Sequence, residues 1–178
     1  MKKVFFTVSL FLVSLVLFSY SLWKLDSSAS IVKFTVKNFP ANVKGTIKGM
    51  EAEISFDPSD LAHSSIKASV DINTLHTGIG LRDKHLKTAE FFDAAKYPKL
   101  TFTSKSISKT DKGYVTVGDL TMKDVTKEVQ LPFTFNTTNT GGVFTGTLSV
   151  NRADYHIGSK GGIIASQIEV EITAVVTK

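Results

Sequence analysis

The feature that most limits what this chain can become is a two-residue alternation of apolar and polar side chains, repeated along most of its length. Val32, Phe34 and Val36 alternate with Lys33, Thr35 and Lys37; Val43, Gly45, Ile47 and Gly49 alternate with Lys44, Thr46 and Lys48. Ala52, Ile54 and Phe56 follow, then Ile66, Ala68, Val70 and Ile72, and later Leu100 and Phe102. Further runs cover Tyr114 to Met122, Val129 to Phe135, Val143 to Asn151 and Ile168 to Val176. Successive strand residues point to opposite faces, so each run asks for one buried and one wet side. About eight such runs are counted, punctuated by turn signals such as Asp111-Lys112-Gly113 and Asn139-Thr140-Gly141-Gly142. With no repeat and no linker, the pattern predicts one all-β, antiparallel domain. Long amphipathic strands that must hide their edges favour a closed eight-stranded up-and-down barrel.

The inner face mixes bulk with gaps. Phe34, Phe56, Phe102, Phe133, Phe135 and Phe144 share it with Gly45, Gly49, Ala52, Ala68, Gly118 and Gly146. Such residues can interdigitate into a solid core or leave a long apolar channel, and a barrel of this size allows both.

The alternation fails in one place, GLRDKHLKTAEFFDAAKYPK, Gly80 to Lys99. Leu81, His85, Ala89 and Phe92 fall at i, i+4, i+8 and i+11, a helical stripe with Leu86 and Phe91 beside it. A short helical insertion is predicted around residues 78–95, with Thr77 as its N-cap and Tyr97-Pro98 as its end. The stripe turns His85 toward the protein and separates it from Asp83, which argues against a catalytic dyad. His63, His76, His85 and His156 lack metal-ligand spacing, so no metal site is expected. GSKGG, Gly158 to Gly162, lacks the strand-to-helix setting of a phosphate loop and reads as a turn.

Two further segments bound the function. Residues 1–21, MKKVFFTVSLFLVSLVLFSYS, combine a basic start, an uncharged apolar run and small residues at Ser19 and Ser21. This is the pattern of a cleavable signal peptide, leaving 22–178 as the mature domain, periplasmic or secreted. The run is shorter than the roughly 20 apolar residues of a spanning helix. The absence of cysteine removes disulfides, thiolate catalysis and a cysteine-linked lipid anchor. The 21 basic residues less Lys2 and Lys3 leave 19 against 16 acidic, a net charge of +3. The lysines are scattered, so no nucleic-acid partner is expected.

Several ordered motifs carry a resemblance. RDKHLKTAEFFDAAKYPKLTFTS, WKLDSSASIVKFTVKN, IKGMEAEISFDP, VGDLTMKDVTKEVQLPFTF and NRADYHIG together resemble the YceI-like family of exported, lipocalin-like, polyisoprenoid-binding proteins. The resemblance runs from Trp23 onward. It implies a lipocalin-like barrel enclosing an apolar pore, and a non-enzymatic role in carrying or storing a polyisoprenoid, an isoprenoid quinone or a fatty-acid-like ligand. No cofactor is implied beyond such a bound lipid.

On this reading the expected lipid-binding residues follow the strands: Phe34, Ile47, Ile54, Phe56 and Val70 in the first half of the chain, then Phe102, Leu131, Phe133 and Phe144. Leu148, Val170 and Ile172 complete the wall, while Leu81, Leu86, Phe91 and Phe92 form a lid. Arg82, His85 and Arg152 are the head-group candidates, although both arginines have Asp83, Asp93 or Asp154 as alternative partners. Two other outcomes stay open: a lipid-modifying enzyme using His85 and Asp83, or a solid-core interaction module without ligand. Transient membrane contact and a homodimer through the edge near Val43 to Met50 are further expectations.

Overall fold

The computed structural model describes residues 22–38, 40–159 and 164–178. The expected signal peptide, residues 1–21, lies outside them, as do residues 160–162 of GSKGG.

Nine antiparallel strands account for the alternating runs: β1 (Leu22–Asn38), β2 (Val43–Ile47), β3 (Glu51–Ser55), β4 (Ser65–Asp71), β5 (Lys99–Thr110), β6 (Gly113–Met122), β7 (Val125–Thr137), β8 (Gly141–Asn151) and β9 (Ile164–Thr177). Eight of them close in the order β1-β3-β4-β5-β6-β7-β8-β9, with β9 returning to β1. The expected eight-stranded barrel is therefore present, with β2 as a ninth strand. One edge of β1 pairs with β9 from Lys24 to Asn38. Its other edge is divided, with Leu22 and Trp23 meeting β3 and Val32 to Val36 meeting β2. The far side of β2 is capped by a bridge between Thr46 and His76.

Two irregularities interrupt the regular strand pattern. Between Asp26 and Ile31 the β1–β9 register shifts. There the buried Ser30 hydroxyl donates to the Asp26 carbonyl and accepts the Val175 N–H, so both of these backbone groups keep a partner across the slip. At the end of β2 the alternation stops at Ile47, because Gly49 adopts φ +65°. Gly49 thus lies in the link between β2 and β3 and is lost from the inner wall.

The barrel is filled at one end. Phe56, 1% exposed, meets Tyr114, Phe133, Phe135 and Phe144 with ring centroids 5.1–5.7 Å apart. Trp23 closes this plug edge-on against Phe135 and donates its indole N–H to the Phe56 carbonyl at 2.8 Å. Each such buried side chain contributes about 1.5–3 kcal/mol. Two glycines on the inner face let aromatic rings lie against the wall: a Cβ at Gly45 would meet the Phe34 ring at 2.3 Å, and one at Gly118 the Phe102 ring at 2.6 Å. Bulk and gap interdigitate at those points, yet the barrel does not fill throughout.

The expected insertion is present but more compact than the stripe implied. One helix, α1 (Gly80–Leu86), is followed by turns that lead to Tyr97-Pro98.

Candidate functional site

Beyond the aromatic plug the interior opens into an apolar cavity of about 420 Å³. β1 contributes Val32, Phe34, Val36 and Asn38, and β9 contributes Ile164, Ile168, Val170, Ile172 and Ala174. From Ile164 to Ala174 the strand spans roughly 33 Å, or about 25 Å along the axis of a barrel with strands tilted near 40°. The space is therefore long and narrow.

Most residues expected on the wall line this cavity: Phe34, Ile47, Ile54, Val70, Phe102, Leu131, Phe133, Phe144, Leu148, Val170 and Ile172, with Leu86, Phe91 and Phe92 from the insertion. Two do not. Phe56 packs inside the plug, behind Phe133 and Phe144, because the chain turns out of β3 there and delivers the ring to the barrel's filled end. Leu81 is 81% exposed. The stripe of Leu81, His85 and Ala89 faces outward, while Asp83 and Leu86 face in.

The reason for that rotation is a polar anchor. Asp83 is buried, and its Oδ1 accepts from both the Thr77 N–H and the Thr77 hydroxyl. His76 Nδ1 lies 3.0 Å from Asp83 Oδ2. Burial pushes the Asp83 carboxyl up, but the Thr77 hydroxyl and amide and then His76 outweigh it and hold the group below the ordinary carboxylate range. Thr77 is thus a partner of Asp83 rather than the N-cap, a position taken by Ile79 without a side-chain bond.

The remaining polar residues separate into distinct roles. Arg82 donates its Nε–H to the Thr77 hydroxyl and an Nη2–H to the Thr77 carbonyl. His85, with its side chain 58% exposed, pairs with Glu90 at 3.0 Å and stands edge-on to Phe91. It reaches solvent at the same time as it lines the cavity, which marks the rim. Asp83 and His85 have separate partners and do not form a dyad. Arg152 is 5% exposed and donates to four carbonyls, those of Ile157, Ser159, Ile164 and Ala165, at 2.8–3.0 Å. Among the described residues neither arginine forms an ion pair with Asp83, Asp93 or Asp154.

Sequence reasoning missed Asn38, Met50, Met122 and Ile157 on the lining. Asn38 ends β1 at a position that continues the inward alternation of Phe34 and Val36, a signal hidden by its polarity. Tertiary bonds fasten the insertion over this end: Gly158 N–H to the Glu90 carbonyl at 2.9 Å, Lys123 Nζ to the Ala89 carbonyl at 3.1 Å, and Lys87 Nζ to the Asn73 carbonyl at 2.6 Å. Among the described residues no cluster of His, Asp or Glu is arranged to hold a metal.

Comparison with known proteins agrees with this architecture. The family model described as YceI-like domain matches residues 23–176. Protein YceI of Escherichia coli O17:K52:H18 is 33% identical over 112 residues, 61% of this chain and 59% of that protein. UPF0312 protein YE1254 of Yersinia enterocolitica is 31% identical over 112 residues, 61% of this chain and 58% of that protein. The chain thus spans less than two thirds of the length of these relatives. Among solved structures, Burkholderia cenocepacia BcnA superimposes with a TM-score of 0.82 at 25% identity, over 86% of this chain and 100% of that one. A polyisoprenoid binding domain from Saccharophagus degradans shares the fold, with a TM-score of 0.68 at 16% identity over 89% of this chain and 99% of that one.

Proposed function

The chain belongs to the YceI-like family, and from that premise we propose that it is an exported, non-enzymatic binding protein that holds one long apolar lipid in its pore for carriage or storage. The observation that carries this reading is the cavity itself, about 420 Å³ walled mainly by Phe, Ile, Leu, Val and Met. Such a wall has few directional groups, so it selects by length and girth. Each buried CH₂ adds about 0.8 kcal/mol, and a few isoprene units or a fatty chain suffice for tight binding even after association costs. The fold shared with a polyisoprenoid binding domain supports an isoprenoid tail as the occupant. Export rests on the leader-like residues 1–21.

Organic extraction of the purified protein followed by mass spectrometry is the direct test. A stoichiometric lipid is the expected result. No extracted lipid, together with no saturable uptake of added prenol, quinone or fatty acid, would end the proposal.

A further inference from the structure

The ionisable side chains on the cavity lining are all basic among the described residues. Arg82, His85 and Arg152 line the cavity, whereas no Asp, Glu or Lys does among the described residues. His85 has Glu90 beside it, and Arg82 is linked through the Thr77 hydroxyl to Asp83. Arg152 differs from both, because it is buried and its partners are neutral carbonyls. A guanidinium cannot shed its proton to escape burial, so its positive charge persists in a poorly solvated place. Four carbonyls occupy four of its five N–H donors, which fixes the plane and leaves one donor free.

Neighbouring residues gather at the same spot. Asn38 pairs in register with Ile164, whose carbonyl accepts from Arg152. Asn38 lines the cavity, and its Oδ1 is buried without a hydrogen-bond partner. Its amide can present a carbonyl to a hydroxyl or, turned over, an N–H to an anion. A Cβ at Gly158 would stand 2.9 Å from the Phe91 ring and 3.0 Å from Arg152 Nη1, so glycine lets those two groups approach. The Phe91 ring in turn lies 5.0 Å from that of His85.

We propose that this end of the cavity is a head-group subsite for an anion, so that the ligand is a long-chain lipid ending in a carboxylate or a phosphate. The anion sits against Arg152, with Arg82 and His85 toward the rim, and the tail runs between the strands toward Phe133 and Phe144. The inference rests on the lipid-holding function proposed above and adds the class of head.

Matched ligands test it on the full chain. Binding of oleate, oleyl alcohol and methyl oleate is measured by calorimetry at neutral pH, beside geranylgeranyl phosphate and geranylgeraniol. The anion is expected to bind roughly tenfold more tightly than the alcohol with the same tail, the ratio that one charge-assisted hydrogen bond implies. Whichever pair shows the larger ratio identifies carboxylate or phosphate as the head. Arg152→Gln should bring the ratio of anion to alcohol affinity down to about one. Because Arg152 also holds four carbonyls, Arg82→Gln with His85→Gln is the companion variant and should reduce the ratio severalfold. Equal affinity of anion and alcohol for the unaltered chain overturns the head-group assignment and leaves the carrier function standing. Binding of none of the five ligands overturns both.

Discussion

Asp83 shows how one side chain can decide the orientation of an element. Its carboxylate takes two bonds from Thr77 and one from His76, and those bonds turn α1 so that Leu81 faces solvent. Asp83→Asn should cost about 1–3 kcal/mol, seen as a fall in Tm of about 2–4 °C per kcal/mol. The pH dependence has a definite sign. A carboxyl held below its unfolded value stabilises the protein above that value, near pH 3.9, and loses the contribution as pH falls through the lower folded value. The Tm gap between Asp83→Asn and the parent should therefore shrink below about pH 4, which thermal melts across that range would check. Gly45 gives a second residue-scale prediction. In Gly45→Ala the new methyl meets the Phe34 ring, a movable group, and should drive it into the cavity. The variant should fold, lose about 1–3 kcal/mol, and retain a shorter lipid by mass spectrometry.

At the scale of elements, the strands were legible and the insertion only in part. Period two is a local property, so the inner residues of β1, β5, β7, β8 and β9 could be read before any contact was known. The face of α1 could not, because a seven-residue helix has room for two turns and its orientation depends on Thr77 and His76, which lie outside it. The place of Phe56 was hidden for a different reason: alternation tells inside from outside but not which end of the barrel a ring reaches. The outward tilt of α1 also leaves Ile79 54% and Leu81 81% exposed beside the rim marked by His85. An apolar tip at a cavity mouth is suited to brief contact with a lipid surface. Replacing both with Ser should leave Tm nearly unchanged but slow lipid uptake from vesicles, measured by a stopped-flow transfer assay. Equal transfer rates would remove any membrane role from this tip.

At the scale of the molecule, the division into a plugged half and an open half was not legible. It depends on how nine strands stagger, and glycines that promised gaps at Gly45 and Gly118 are covered by Phe34 and Phe102. The division makes a prediction of its own. Val170 lines the open half, so Val170→Trp should occupy the cavity, sharply lower the lipid recovered on extraction, and cost less stability than the same enlargement inside the plug. The seam has a further consequence, in time rather than in space. β1 is held along one edge by β9, which follows the other eight described strands in the chain. Until β9 is made, no circuit exists, and residues 22–151 can form a sheet but not a closed wall. Pairing between such distant segments is slow, since loop-closure entropy must be met before the contacts form. The wall therefore cannot close until late in synthesis, and a chain that has not closed is easier to thread through a narrow channel than a finished barrel.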